Sequence, residues 1–504
     1  MPHFRSLLTV AGLLLACGVY VLCVDGFGLE HAAAVTAAVT SLCGLWWCTE
    51  VIPIPVTSLL PFVVFPMAGV LDHRQLAEAY GDKFVLLFMA GFMISRAAER
   101  SQTHLRVSHG LMNLLGTKSQ RRIVLGFLVA TAFSSMWISN TATALIMLPV
   151  AIAVLAEQND AKLNVPLLLA VAYGSSIGGI ATIIGTPPNG IFVSIYEQQN
   201  AHSVDFISWL KIGVPVALIM LVAAGVLLTR GLSHGSTMQL QNLGPWTSAQ
   251  RRVLGVISLT ALLWITRSAP MGGWSFWLDM PMAHDATVGL AAVVALFLIP
   301  SGKTSERPAK TAAGPKRLQA DRLLDWETAR DIPWGILILF GGGLAIAKAA
   351  EVTGLSQTIG GQFAQLSGLH PLLLIGVICL TVTFLTEVTS NTATTTLLMP
   401  ILGAVAEGAG YDAAVLMVPA ALSASCAFML PVATPPNAIV FGSEQLTVRE
   451  MARAGLALNL IGVVVISVSC YFLVDFKSGI GTAIAPPDIA MESIDDATVD
   501  GQRP

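Results

Sequence analysis

Charge is scarce in this sequence. Only 11% of its 504 residues are Asp, Glu, Lys or Arg, while 54% are hydrophobic; a soluble domain carries about 25% charged residues. The net charge of −3 comes without a basic stripe or tail that could follow phosphates, which excludes a nucleic-acid partner. Cysteine is sparse too. Cys17, Cys23, Cys43, Cys48, Cys379, Cys426 and Cys470 stand in apolar sequence without ligand-like spacing, so they read as small hydrophobes in a bilayer. The nine histidines do not cluster, which argues against a resident metal centre. No organic cofactor is expected.

What the chain has in quantity is long uncharged runs, the mark of an all-α polytopic protein in a lipid bilayer. The first, 6–24, follows Arg5 and contains a lipobox-like Leu-Leu-Ala-Cys ending at Cys17. It continues past that cysteine and is long enough to cross a membrane, so it is read as a span and not as a cleaved signal. Further spans are expected near 31–48, 52–70, 84–100, 165–194, 205–229, 252–266, 286–300, 332–349, 412–441 and 454–475, eleven transmembrane helices in all. Two more apolar regions, 122–155 and 370–406, are interrupted midway by polar clusters. They read as re-entrant helical hairpins.

Basic residues orient the set. Arg96, Arg100, Arg106, Lys118, Arg121 and Arg122 crowd the connection before the first hairpin, and Lys303, Arg307, Lys310, Lys316, Arg317 and Arg322 crowd a linker at 301–325. Between Lys348 and Arg449 there is no Lys or Arg. The two basic regions are therefore expected in the cytoplasm with the N-terminus, and the C-terminus outside.

The two halves repeat one another. "WCTEVIP" at 47–53 matches "WITRSAP" at 264–270, and "LLFMAGFMISRAAE" at 86–99 matches "LILFGGGLAIAKAAE" at 337–351. "SNTATALIMLP" at 139–149 matches "SNTATTTLLMP" at 390–400, and "GTPPNG" at 185–190 matches "ATPPNA" at 433–438. Five spans separate matched points, so the second copy is inverted. Inverted-topology repeats with broken helices point to a secondary transporter whose site lies at the repeat interface.

The repeated polar motifs suit that task. Inside hydrocarbon each unsatisfied backbone group costs several kcal/mol, and Pro187-Pro188 and Pro435-Pro436 free carbonyls upstream of themselves. Protein, water or a bound ion must fill each gap, and unwound carbonyls are good ligands for Na⁺. Ser139-Asn140-Thr141 and Ser390-Asn391-Thr392 are neutral donors suited to helix N-termini, which attract anions. No Lys or Arg lies in any of the four motifs, so an anion held there needs cations to balance it. Glu387, which matches Met136, is either a partner for backbone donors or a group that tunes cation or proton coupling. Glu50, matching Arg267, is expected near a membrane surface in a structural role.

"WWCTEVIPIPVTSLLP", both Ser-Asn-Thr motifs and both Thr-Pro-Pro-Asn breaks, spread over most of the chain, resemble the divalent anion:sodium symporter family. The resemblance implies a homodimer working by an elevator movement. It divides each protomer into scaffold helices at 1–118 and 231–350 and transport-domain halves at 119–230 and 351–477; the acidic, proline-containing composition of 478–504 marks a disordered tail. Carried onto this sequence, one sodium site looks like Ser135, Ser139, Asn140 and Gly185. The other looks like Thr386, Thr389, Asn391 and Ala433. Substrate carboxylates would meet Asn140, Thr141, Asn391, Thr392 and Thr434, with Thr186 and Pro187 lining the cavity. Exchange-type members tend to carry Arg shortly after the Ser-Asn-Thr motif; Thr143 and Thr394 stand there instead, which favours symport.

The expected activity is sodium-coupled symport of C4-dicarboxylates such as succinate, fumarate or malate across a bacterial inner membrane. Threonine after asparagine in both tips favours dicarboxylate over sulfate. A sodium-independent exchanger, or a carrier of citrate or sulfate, is the rival among transporters. An intramembrane hydrolase using Ser139 or Ser390 as nucleophile lacks a base, because no His, Lys or paired carboxylate accompanies either serine.

Overall fold

Helices form wherever the apolar runs allow them, and paired or clustered prolines mark some of the breaks, while Pro149, Pro166, Pro215, Pro400 and Pro419 lie inside helices. The structure is a computed structural model that describes residues 2–115, 118–158, 160–200, 203–232, 243–268, 271–307, 317–362 and 369–475. Six of its helices are long and apolar enough to cross a membrane: Arg5–Gly26, His31–Thr49, Asn140–Gln158, Phe206–Thr229, Trp334–Val352 and Val448–Leu473. The remaining expected spans also fall on helices, several of them interrupted. The run at 52–70 splits into Ile54–Thr57 and Leu60–Met67, where Pro53, Pro55 and Pro61 prevent one continuous ladder.

The two Thr-Pro-Pro-Asn segments break their helices as the prolines require. Ala161–Gly179 ends at a run of turns, and Pro187–Gln199 begins beyond it with proline at its first positions. Ala414–Ala424 likewise gives way to Pro435–Phe441. Proline suits the first turn of a helix, because its missing N–H has no intrahelical partner there. Each break is thus the end of one helix and the start of another.

Each expected hairpin is two helices joined by a short turn, Gln120–Ser135 to Asn140–Gln158 and Pro371–Leu385 to Asn391–Gly408. Their packing is reciprocal. The helix after the first break, Pro187–Gln199, lies against Asn391–Gly408 of the second hairpin; the helix after the second break, Pro435–Phe441, lies against Asn140–Gln158 of the first. This exchange brings all four polar motifs to one place. Glycine permits close approach beside it. A Cβ at Gly178 would fall 2.1 Å from the Ala132 carbonyl oxygen, and one at Gly174 2.7 Å from that of Leu128, so Ala161–Gly179 seats directly on the backbone of Gln120–Ser135.

The linker at 301–325 is not all loop. Pro300–Arg307 pairs antiparallel with Arg317–Arg322, Thr304 opposite Ala320. Residues 308–316 between them, and the whole of the acidic tail at 478–504, lie outside the described residues.

Candidate functional site

A cavity of about 1060 Å³ opens where the four motifs meet. Ser139, Asn140, Thr141, Gly185, Thr186 and Pro187 line it from one copy. Thr389, Asn391, Thr392, Ala433 and Thr434 line it from the other. Ser135 and Thr386 do not reach it; each is fully buried one turn behind its tip.

The tips supply the donors. Asn140 and Asn391 are the first residues of long helices whose N-termini end on the cavity, and the Ser139 and Ser390 hydroxyls accept from the N–H of Ala142 and Ala393 at 3.3 and 3.4 Å. The breaks supply fewer, because prolines occupy the first two positions of both following helices. The donors available to an anion there are thus mainly those of the Ser-Asn-Thr backbone and side chains, with the helix dipoles behind them.

The first tip gathers oxygen. One terminal atom of the Asn140 amide stands 2.7 Å from Ser135 Oγ, 3.1 Å from the Ser175 carbonyl and 3.2 Å from that of Gly185. With nitrogen in that place, the two N–H bonds of the amide are shared among the three. With oxygen there, four oxygens face one another, an arrangement that a small cation stabilises. The donor set is hard and neutral, as a monovalent cation requires. The Ser175 carbonyl is an addition to the expected set. It contributes backbone alone, and its only sequence signal is its place one turn before the break.

The second tip is more open. Asn391 Oδ1 is buried without a hydrogen-bond partner. The Thr386 hydroxyl donates to the Thr383 carbonyl at 3.2 Å, and the Thr389 hydroxyl to that of Leu385 at 2.8 Å, 2.7 Å from Thr394 Oγ1. A buried lone pair left unsatisfied costs about 1–3 kcal/mol, a cost that a bound cation would offset.

Charged side chains line the cavity as well. Arg96 pairs with Glu99 at 2.6 Å and lies 3.8 Å from Asp331; all three line the cavity. Glu50 joins them, in a left-handed turn with φ of 48° that closes the helix His31–Thr49.

Of the protein, water or ion that the sequence left to fill the breaks, protein takes a share: each motif's own asparagine holds two of the carbonyls. Asn189 Nδ2 donates to the carbonyls of Gly179 and Thr182 at 3.0 and 2.7 Å, and Asn437 Nδ2 to those of Ala427 and Leu430 at 3.2 and 3.0 Å.

Glu387 is a partner for backbone donors. Its carboxylate accepts from the N–H groups of Met429 and Leu430, both at 2.9 Å, and from Asn459 Nδ2 at 2.7 Å. Phe428 N–H donates to Asn459 Oδ1 at 3.1 Å. The second break is thereby unwound further than the first, where Ala181 N–H keeps a helical turn to Gly178.

Comparison with known proteins places the chain in a family. Residues 5–473 match the family described as the sodium:sulfate symporter transmembrane region. The sodium-dependent dicarboxylate transporter SdcS of Staphylococcus saprophyticus is 39% identical over 474 residues, 90% of this chain and 88% of that one. Its namesake in Staphylococcus aureus is 38% identical over 88% of this chain and 86% of its own length. Among solved structures, the YdaH transporter of Alcanivorax borkumensis shares the fold with a TM-score of 0.55 at 12% identity, over 88% of this chain and 98% of that one.

Proposed function

This chain belongs to the sodium:sulfate symporter family, a multi-pass membrane protein and a transporter, not an enzyme, and we propose that it carries C4-dicarboxylates together with sodium ions. The observation that bears most weight is the single cavity lined by both Ser-Asn-Thr tips and both Thr-Pro-Pro-Asn breaks. A doubly charged anion there meets neutral donors and helix N-termini and no unpaired cation. Sodium at the two tips supplies the missing charge. Without it the dianion faces a desolvation cost with little return, so anion binding and cation binding are coupled.

The sites proposed are Ser135, Ser139, Asn140 and Gly185 for one sodium ion and Thr386, Thr389, Asn391 and Ala433 for the other. Asn140, Thr141, Asn391, Thr392 and Thr434 hold the carboxylates, and Thr186 and Pro187 form the wall. In this reading the segments 122–155 and 370–406 are re-entrant hairpins among eleven spans of an inverted repeat. The halves 119–230 and 351–477 travel as an elevator against the scaffold of a homodimer in a bacterial inner membrane, with the N-terminus in the cytoplasm. The names of the relatives at 38–39% identity support sodium and dicarboxylate as cargo.

The test is radiolabelled succinate uptake into proteoliposomes, with fumarate, malate, citrate and sulfate as competitors. Uptake driven by an inward sodium gradient, and competed by the C4 acids more strongly than by sulfate, is expected. Uptake indifferent to the gradient, or exchange that needs internal substrate and no sodium, overturns symport.

A further inference from the structure

The two asparagines that end the Thr-Pro-Pro-Asn motifs carry this inference, which rests on the sodium sites proposed above. Asn189 and Asn437 are each 0% exposed. Each uses its amide nitrogen in the same way, bridging the carbonyls ten and seven residues upstream. Position by position the two clasps correspond: Gly179 with Ala427, Thr182 with Leu430, Asn189 with Asn437. Two copies of opposite orientation, with little sequence in common around the bridged carbonyls, keep one geometry.

The clasp decides which carbonyls stay free. A helix running through each break would pair the carbonyls of Ile183 and Ile184, or of Pro431 and Val432, with the N–H groups that Pro187, Pro188, Pro435 and Pro436 lack. Among the described residues no donor takes these four. The asparagine claims the pair deeper in the break and curls the strand back on itself. A Cβ on Gly185 would fall 2.4 Å from the Gly179 carbonyl oxygen, which shows how tightly the strand returns. That curl sets the Gly185 carbonyl 3.2 Å from the Asn140 amide. In the second copy the Leu430 carbonyl accepts from both Asn437 Nδ2 and Ala433 N–H, so the clasp fixes the turn that presents Ala433.

The arrangement carries a cost that packing alone does not explain. Asn189 Oδ1 and Asn437 Oδ1 are both buried with no hydrogen-bond partner. An apolar residue of similar size would avoid that cost, but it could not hold two carbonyls.

We propose that Asn189 and Asn437 are positioning residues for the two sodium sites, each holding its break in the curl that delivers a ligand carbonyl to the facing tip. Neither touches sodium or the anion. Replacing one therefore weakens sodium binding at its own copy while leaving the anion's donors in place.

The experiment measures succinate uptake in proteoliposomes against sodium concentration, for the wild-type protein and for Asn189→Ala, Asn437→Ala, Asn189→Ser and Asn437→Ser. Each alanine variant is expected to raise half-saturating sodium by about tenfold, the loss of a pair of buried hydrogen bonds. The succinate half-saturation at saturating sodium should stay within about twofold. Each serine variant, which retains one donor, should fall between alanine and wild type. Half-saturating sodium unchanged in the alanine variants overturns the proposal, whatever happens to the amount of active protein. If an alanine variant does not fold, the serine variant decides: raised half-saturating sodium supports the proposal and an unchanged value overturns it. Sodium-independent uptake by the wild-type protein would instead reject the proposed symport, and is measured first.

Discussion

Lys83 Nζ lies 2.6 Å from Glu197 Oε2 and joins the first turn of Lys83–Ser101 to the last of Pro187–Gln199. Glu197 is the more buried partner, with its side chain 8% exposed, and it also accepts from Val204 N–H at 2.6 Å. Arg96 and Glu99 line the cavity near the other end of the same helix, about 20 Å away at 1.5 Å per residue. The ion pair therefore fastens the helix after the first break to its neighbour at the end remote from Arg96 and Glu99. If Pro187–Gln199 travels during transport, this contact must open.

Lys83→Ala is accordingly expected to change maximal succinate uptake by about three- to tenfold, the effect of about 1 kcal/mol on a conformational equilibrium. Half-saturating sodium should hardly move. Sodium-jump uptake into proteoliposomes measures both. A variant with wild-type maximal uptake would mean that the two helices never separate.

Asn140→Ala and Asn391→Ala each remove the amide of a tip and leave the apolar core of the helices unchanged. Uptake should fall by about a hundredfold or more, as expected when a buried ligand to charge is lost. Size-exclusion profiles in detergent should match the wild-type protein. Substantial sodium-driven uptake by either variant would take that tip out of the site.

Glu387→Gln leaves the two N–H groups of Met429 and Leu430 with a single oxygen and sets an NH₂ against the other donor. The carboxylate is 3% exposed, so the variant should unfold at lower temperature by an amount corresponding to about 3 kcal/mol. Thermal denaturation in detergent reads this, and an unchanged midpoint would show the second break held by other contacts.

Gly178→Ala places a methyl 2.1 Å from the Ala132 carbonyl oxygen and is expected to cost about 1–3 kcal/mol through overpacking. Gly255→Ala has nothing within 4 Å of the new Cβ and should be neutral or stabilising by about 0.5–1 kcal/mol. The same denaturation assay compares them. Equal midpoints would remove the close seating of Ala161–Gly179 on Gln120–Ser135 from the account.

These residues also mark how far the sequence could be read. The tips and breaks were legible because each is a short polar signal inside apolar sequence and each occurs twice in register. Their meeting in one cavity was inferable from the sequence repeat. The exchange by which Pro187–Gln199 lies on Asn391–Gly408 was not, because apolar helix faces do not name their partners. Ser175 escaped notice because a carbonyl has no residue signature. Asn189 and Asn437 were seen as parts of a motif, but their use of the amide depends on how the strand curls after the prolines. Glu387 could be narrowed to two roles, and the direction its carboxylate faces chose the structural one. The ladder between Pro300–Arg307 and Arg317–Arg322 was hidden by a composition rich in charge and proline, which ordinarily marks a loop.

The claim on which the account turns is that sodium at the tips makes the cavity habitable for a dianion. Titrating succinate into purified protein by calorimetry, in sodium chloride and then in choline chloride at equal ionic strength, tests it directly. Saturable binding in sodium, and none in choline at the same protein concentration, is the predicted result. Succinate bound with equal affinity in both salts would contradict it.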